Sequence, residues 1–483
     1  MRVGPDYHRP GTGIQVPASY QHGPKNMMTP ASEDRWWEVF EKPELNHLVE
    51  EVRRNNLDIK KATARTLEVQ SQLVQTRADR FPSLSIDGSA ERRQRPIIGI
   101  VPGGSFSTKT DIYTLSLPAS FEVDLWGRLA RGEEAARADL LQAEENRRTV
   151  AQTVVAETIS LYLQMESLER RVQIALESIE NFRRSLALVE SRYKRGLISV
   201  LDVRQARRIL AGAQALLPTL REELGVTQQR LAVILGRYPT ARPPRPQPED
   251  YFRCLAPVPP GLPSDLLLRR PDIRAAEANL MALNARVGAA KASRFPRITL
   301  TGNYGYTSEA LDQLIRRENE LWHLASGIAQ PLFDAGKLKA GQRAAEARYQ
   351  QGVAEYAKSV LTAFSEVESS LLTRKEQLER RDRQLRFLLE ARATQDVADK
   401  RYRRGLVDYL TVLEAQRTRF EAEESLVLVE LALLTNRVTL HRALGGGWAE
   451  PGEVFSDQSS VVGKQQPSAG KGQVFSNIQY QGL

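Results

Sequence analysis

Two hydrophobic periods run through the chain. In RITLTGNYGYT (297–307), Ile298, Leu300, Gly302, Tyr304 and Tyr306 share one face, and Trp322, Leu324, Ser326 and Ile328 continue the alternation on a return segment. An earlier segment repeats it with Tyr113, Leu115, Leu117, Ala119, Phe121 and Val123. A period of two with one apolar face predicts β-strands paired as hairpins. Strands of about ten residues with aromatics toward their ends suit a membrane barrel, and they equally suit a hairpin lying on a soluble core.

From Glu133 to Arg195 the period changes. These 63 residues contain no Gly or Pro, enough for about 95 Å of helix. Val154, Leu161, Leu168, Ala175, Phe182 and Val189 recur every seven residues, with Thr158, Met165, Val172, Ile179, Leu186 and Tyr193 four later in each heptad. Such a seam predicts coiled-coil packing with the charges outside. A second run, Val353 to Arg404, has a less regular seam, with Leu371, Leu378 and Leu385 at the same spacing. Both runs end in nearly the same six residues, RYKRGL (192–197) and RYRRGL (401–406). Gly196 and Gly405 are expected to supply the left-handed residue that stops each helix. Ser199 with Asp202, and Asp408, then cap helices that run back over about 200–236 and 409–444. The reading is two long helical hairpins, each with a tip. Shorter helices, about 44–79 and 265–293, stop before Phe81-Pro82 and Phe295-Pro296 and lead into the strands.

The duplicated tip belongs to a longer repeat. Arg192 to Gly236 lies over Arg401 to Gly445 without a gap, and the offset of 209 holds back to Gly127 and Gly336. Upstream, LDIKKATA (57–64) lies over PDIRAAEA (271–278) at an offset of 214. The length change falls between Gly88 and Gly127, in a hairpin loop where insertion is tolerated. The expected organisation is an extended N-terminal segment (1–43), a first repeat (44–240), a Pro-rich linker (241–264), a second repeat (265–450) and a disordered tail (451–483) rich in Ser, Gly, Gln and Lys. The fold class is α+β. Four strands per chain cannot close a barrel, and an open edge in lipid costs several kcal/mol per unpaired backbone group. Closure must come from further copies, two giving eight strands and three giving twelve.

Composition narrows the chemistry. The net charge of +9 comes from Lys and Arg spread along the whole chain, so no nucleic-acid partner is expected. Cys254 is the single cysteine, which excludes an intrachain disulfide and a thiolate cluster. No run of eighteen apolar residues predicts a membrane-spanning helix, and no signal peptide opens the chain. His8, His22, His47, His323 and His441 stand apart, without metal-ligand spacing. No catalytic residue, cofactor or metal is expected, and the chain is not read as an enzyme. Arg92, Arg93 and Arg95, near the outer end of the first strand, read as a solvated loop cluster.

Several stretches together resemble the TolC-like outer-membrane efflux proteins, within their OprM-type (NodT-like) lipoprotein branch. They are VGPDYHRP (3–10), WWEVFEKPELNHLVEEVRRNN (36–56), GLPSDLLLRRPDIRAAEANL (261–280), FPRITLTGNYGY (295–306), RYRRGLVDYLTVLEAQR (401–417) and HRALGGGW (441–448). The resemblance implies a homotrimer with a twelve-stranded β-barrel in the outer membrane and a coiled-coil α-barrel crossing the periplasm. It implies an exit duct of an RND-type tripartite efflux system, whose partners are a periplasmic adaptor, an inner-membrane RND pump and outer-membrane lipid. The exit duct of a type I protein secretion system is a neighbouring reading. A soluble coiled-coil scaffold explains the heptads but leaves the apolar strand faces unexplained. In the lipoprotein branch a lipid-bearing Cys stands two residues before VGPDY. Met1 holds that position here, so either a signal peptide and Cys precede it or the anchor is lacking.

The same resemblance carries site residues. Leu410, Glu414 and Arg417 match the helix that constricts the periplasmic mouth, with Glu414 where the family usually has Asp. Their first-repeat counterparts are Leu201, Gln205 and Arg208. A ring of Leu would exclude water while carboxylates pair with Arg417 or bind cations; alternatively Glu414 and Arg417 are a solvated pair. The tips, Arg192, Tyr193, Lys194, Arg195, Gly196 and Leu197 with Arg401, Tyr402, Arg403, Arg404, Gly405 and Leu406, are the expected adaptor-docking sites.

Overall fold

In a computed structural model the chain is described from residue 2 to 446, except for 12, 15, 18, 24–34, 99–104, 241–242, 246–251, 253–254, 256 and 259–262. Met1, Cys254 and the tail expected over 451–483 lie outside the described residues.

The two repeats appear as matched elements. Helix α3 (Arg128–Lys194) and helix α7 (Lys337–Arg403) both have 67 residues, and the return helices α4 (Val200–Ile234) and α8 (Tyr409–Ala443) both have 35. Each lies 209 positions after its counterpart. Helices α2 (Leu57–Ala78) and α6 (Pro271–Ala292) form a third pair of 22 residues each. At about 1.5 Å per residue, α3 and α7 are each about 100 Å long.

Each short leading helix proves to be two. Helix α1 (Pro43–Asn55) is separated from α2 by Asn56, and α5 (Pro263–Arg269) from α6 by Arg270. The break at Asn56 is a cap, its side chain accepting from the backbone N–H of Asp58 and Ile59. At Arg270 the extended backbone is set by Pro271, which disfavours helix at the residue before it. Two further helices run through residues that usually interrupt them: α3 starts ahead of Gly132, and α4 continues through Pro218.

Most of the α3 seam is buried as its period predicts: Val154, Leu161, Leu168, Ala175, Phe182 and Val189 are all 8% exposed or less, and Thr158, Met165, Val172 and Ile179 are buried with them, while Leu186 is half-buried and Tyr193, at the tip, is exposed. The seam of α7 departs from expectation. Leu371 is buried, Leu378 only half-buried, and Leu385 exposed. The buried set instead follows Tyr356, Val360, Ala363, Val367 and Leu371, packed with α6 and α8. Below Leu371 the helix turns much of its apolar surface outward, because α3 is surrounded inside the chain and α7 is flanked on one side only. Accordingly 28 of the 67 residues of α3 are buried against 12 of those of α7.

The sheet is one antiparallel layer. Strands β1 (Ser83–Leu84) and β2 (Asp87–Ile98) both pair with β3 (Ser105–Val123), β3 with β4 (Arg297–Ser308), and β4 with β5 (Glu320–Ala329). The first two are one stave, since Ser83↔Ser120 and Asp87↔Ser116 keep the same register. Its interruption faces Pro118: Ser85 donates to the Pro118 carbonyl at 3.1 Å, and Pro118 has no N–H to return. Arg92, Arg93 and Arg95 stand in this stave, not in a loop, with Arg92 paired to Asp111 at 2.8 Å across the ladder.

The N-terminal segment is a strap. The Val3 N–H donates to the Trp126 carbonyl and Asn284 to that of Pro5, both at 3.0 Å. A Cβ on Gly4 would stand 2.6 Å from the Cα of Gly288. Asp6 meets Arg131, 2% exposed, at 2.8 Å, and Arg9 forks onto Glu277. VGPDYHRP is therefore a set of contacts that ties the chain's start to α3 and α6.

Candidate functional site

The two tips are built alike. At the first, the N–H of Gly196 donates to Tyr193 at 2.8 Å and that of Leu197 to Arg192 at 3.1 Å; at the second, Gly405 donates to Tyr402 at 2.9 Å and Leu406 to Arg401 at 3.0 Å. These paired bonds satisfy two carbonyls of the last helical turn and need a left-handed residue at its end, and φ is +71° at Gly196 and +73° at Gly405. A Cβ would meet nothing within 4 Å at either, so backbone conformation, not space, requires glycine. Leu197 and Leu406 project into the open, 66% and 67% exposed.

The return helices start on the caps expected of them. Ser199 and Asp202 form a reciprocal capping box, with the Ser199 N–H donating to Asp202 at 3.0 Å. Asp408 accepts from the backbone N–H of Thr411 at 3.0 Å and from its hydroxyl at 2.6 Å, which holds the Asp408 carboxyl below the usual range.

Leu410, Glu414 and Arg417 share the exposed face of α8, opposite the buried Val412, Ala415 and Gln416. Arg417 donates to Glu414 at 2.9 Å and lies 3.7 Å from Glu421. The hydrogen bond to Glu414 raises the Arg417 guanidinium further above its ordinary value. Leu201 and Arg208 are exposed on the matching face of α4 and Gln205 is half-buried, while Val203 and Ala206 point inward. Each chain thus offers two parallel rows near its tips, one charged (Glu414, Arg417) and one with Gln205 in place of the carboxylate.

One contact escaped sequence reasoning. Arg192 of the first tip donates to the carbonyls of Tyr402 and Arg403 at the second, both at 3.1 Å, and its guanidinium lies 4.3 Å from the Tyr402 ring centre. It caps the end of α7 with a planar fork, which fits two adjacent carbonyl acceptors. Tyr402 in turn packs on Tyr409, ring centres 5.4 Å apart, over a small core that includes Val189, Val203 and Val412. The two tips of one chain are therefore fastened together.

Comparison with known proteins agrees with this architecture. A profile of the outer membrane efflux protein family matches twice, over residues 48–237 and 262–446. The chain is 33% identical over 451 residues to the cation efflux system protein CusC of Escherichia coli O6:H1, covering 93% of this chain and 96% of that protein. It is 34% identical over 451 residues to the solvent efflux pump outer membrane protein SrpC of Pseudomonas putida, covering 92% and 95%. The solved structure of the outer-membrane channel OprN superposes with a TM-score of 0.85 at 32% identity, covering 92% of this chain and 99% of that one.

Proposed function

This chain belongs to the outer membrane efflux protein family, and from that premise we propose that three copies close into a single exit duct, with Leu410, Glu414 and Arg417 at its periplasmic mouth. It is an outer-membrane efflux channel with a TolC-like α+β fold. Residues 44–240 and 265–450 act as two equivalent halves, each giving one hairpin of the barrel and one of the helical tube.

The observation that carries the reading is the sheet. It has two unpaired edges, the outer side of β2 and the outer side of β5. Its apolar face is left open in the single chain, with Leu324 at 79%, Ile328 at 74% and Trp322 at 73% exposed on β5 and Leu115, Phe121 and Ile298 half-buried on β3 and β4. That is the inverse of a sheet lying on a soluble core, and it suits lipid outside and water inside. Among the described residues no helix is long and apolar enough to cross a membrane. The helices support the oligomer as well. Within the chain α3 packs against α8, leaving α7 and α4 as the outer faces, and α7 displays Leu361, Leu372, Phe387, Leu389 and Val397.

As a tripartite component, the duct works with a periplasmic adaptor docked at the tips and an inner-membrane RND pump. Lipid surrounds the barrel, and cargo is selected by the pump. The exposed Leu197 and Leu406, flanked by Lys194, Arg195, Arg403 and Arg404, offer an apolar contact ringed by cations that fits carboxylates on an adaptor.

The test is native mass and conductance of the detergent-purified protein. A particle of three 54.2 kDa chains that inserts into planar bilayers and conducts is expected. A stable, monodisperse single chain with intact β-structure would overturn the duct.

A further inference from the structure

The repeat makes a specific prediction about where one copy grips the next. Within one chain, Arg192 of the first tip clasps the second tip through the Tyr402 ring and the carbonyls of Tyr402 and Arg403. The residue 209 positions on from Arg192 is Arg401, and the counterparts of Tyr402, Arg403 and Tyr409 are Tyr193, Lys194 and Val200. Arg401 is exposed, and no side-chain partner for it is seen among the described residues.

The acceptor side is equally open. Tyr402 and Tyr409, which Arg192 and its hairpin cover, are 4% and 3% exposed. Tyr193 and Val200, at the same positions of the other repeat, are 46% and 53% exposed. The last helical carbonyl of α3, that of Lys194, has no backbone donor among the described residues, whereas its counterpart at Arg403 is met by Arg192. The two surfaces share the tyrosine, the basic residue after it and the glycine stop, and one has a neighbour where the other has none among the described residues. The helices carry the same asymmetry, since α3 and α8 bury 28 and 17 residues while α7 and α4 bury 12 and 8.

We infer that Arg401 of one copy clasps the first tip of the next copy, its guanidinium over the ring of Tyr193 and donating to the carbonyls of Tyr193 and Lys194. The occupant of this surface is a second copy of this chain, and the inference rests on the homotrimer proposed above. The ring of tips is then fastened at six places by one kind of clasp, alternately within and between chains. Guanidinium suits the role because it stacks on an aromatic face and presents parallel donors at once.

Thiol crosslinking in a Cys254→Ser background tests it. Arg192→Cys with Arg403→Cys reports the clasp inside the chain, and Arg401→Cys with Lys194→Cys reports its equivalent between chains. With a short bifunctional thiol reagent, the first pair is expected to lose both thiols and stay at single-chain mass on a denaturing gel. The second is expected to run as covalent dimers and trimers. If native mass shows a trimer and the first pair closes while the second stays single-chain, the clasp is overturned and the homotrimer stands. If native mass shows no trimer, both fall. Arg401→Ala gives a measurement that leaves the helices untouched. Its trimers are expected to dissociate at a lower temperature than wild type, with Arg404→Ala unchanged, and an unaltered Arg401→Ala would also overturn the clasp.

Discussion

His441 lies flat against Trp36, ring centres 4.7 Å apart and planes 14° from parallel. This stack joins the WWEVF segment to the end of α8, so two motifs at opposite ends of the described chain meet. The imidazole is 6% exposed, and burial, with the nearby Arg437, depresses its pKa to about 3.

The stack makes stability depend on acid. A histidine whose folded pKa lies below its unfolded value near 6.5 stabilises fully above pH 6.5, and that contribution is lost as pH falls toward 3. Between pH 7 and pH 5, above the range of ordinary carboxylates, the loss attributable to His441 is about 2 kcal/mol. Thermal melts followed by helical circular dichroism should show it in the wild type. In His441→Phe, which keeps the stack without the titrating nitrogen, the pH 7 to pH 5 difference should change by about that amount relative to wild type. An identical pH dependence in the two proteins would place the acid sensitivity elsewhere.

Two glycines with the same backbone angle should differ in what they tolerate. Gly405 and Gly236 have φ of +73° and +71°. Alanine at 405 meets no atom within 4 Å and suffers only the left-handed strain of about 1–2 kcal/mol. At 236 its Cβ would stand 2.8 Å from the Asn55 carbonyl oxygen, so the α1 end must move as well. Gly236→Ala should therefore lower the melting midpoint clearly more than Gly405→Ala. Equal losses would mean that the approach to Asn55 is easily relaxed.

Much of this was written in the sequence because it is written twice. The tip stops, the caps at Ser199 and Asp408, and the alternating strands each depend on neighbours a few residues away. Local signals of that kind survive without knowledge of the fold. The α7 seam is legible only in part, because a seven-residue spacing does not say whether a partner helix is present; Leu371 is buried, while Leu385 keeps the period yet faces outward. Asn56 and Arg270 were absorbed into longer helices because one capping residue inside a polar pattern leaves little trace. The clasp was invisible for a different reason. Arg192 and Arg401 sit in the same letters, and only the three-dimensional arrangement decides which of them finds its neighbour within one chain.

The two faces of β5 should respond oppositely to charge. Leu324 belongs to the apolar, exposed face and His323 to the other, and they pair with Gly302 and Asn303 of β4. Lysine on a lipid face costs about 2–4 kcal/mol near the bilayer midplane and much less toward the interfaces. Leu324→Lys should reduce folding into liposomes, measured by urea titration, whereas His323→Lys should remain near wild type. The reverse order would exchange the lipid and lumen faces and with them the barrel's orientation.

The charged row on α8 can be separated from its stability. Glu414 and Arg417 are an exposed pair one turn apart, and such pairs contribute only a few tenths of a kcal/mol to a helix. Glu414→Gln should therefore leave the thermal midpoint unchanged. If three copies of this row surround one axis, however, removing three carboxylates changes the field in the narrowest part of the path. Leu410→Ala, on the same face and 52% exposed in the single chain, would remove three apolar side chains from that ring and allow water through. Both variants should raise single-channel conductance in planar bilayers, and Glu414→Gln should also shift cation preference, with melting curves superposed on the wild type. Unchanged conductance and ion preference in both would identify the row as a solvated helix face remote from the constriction.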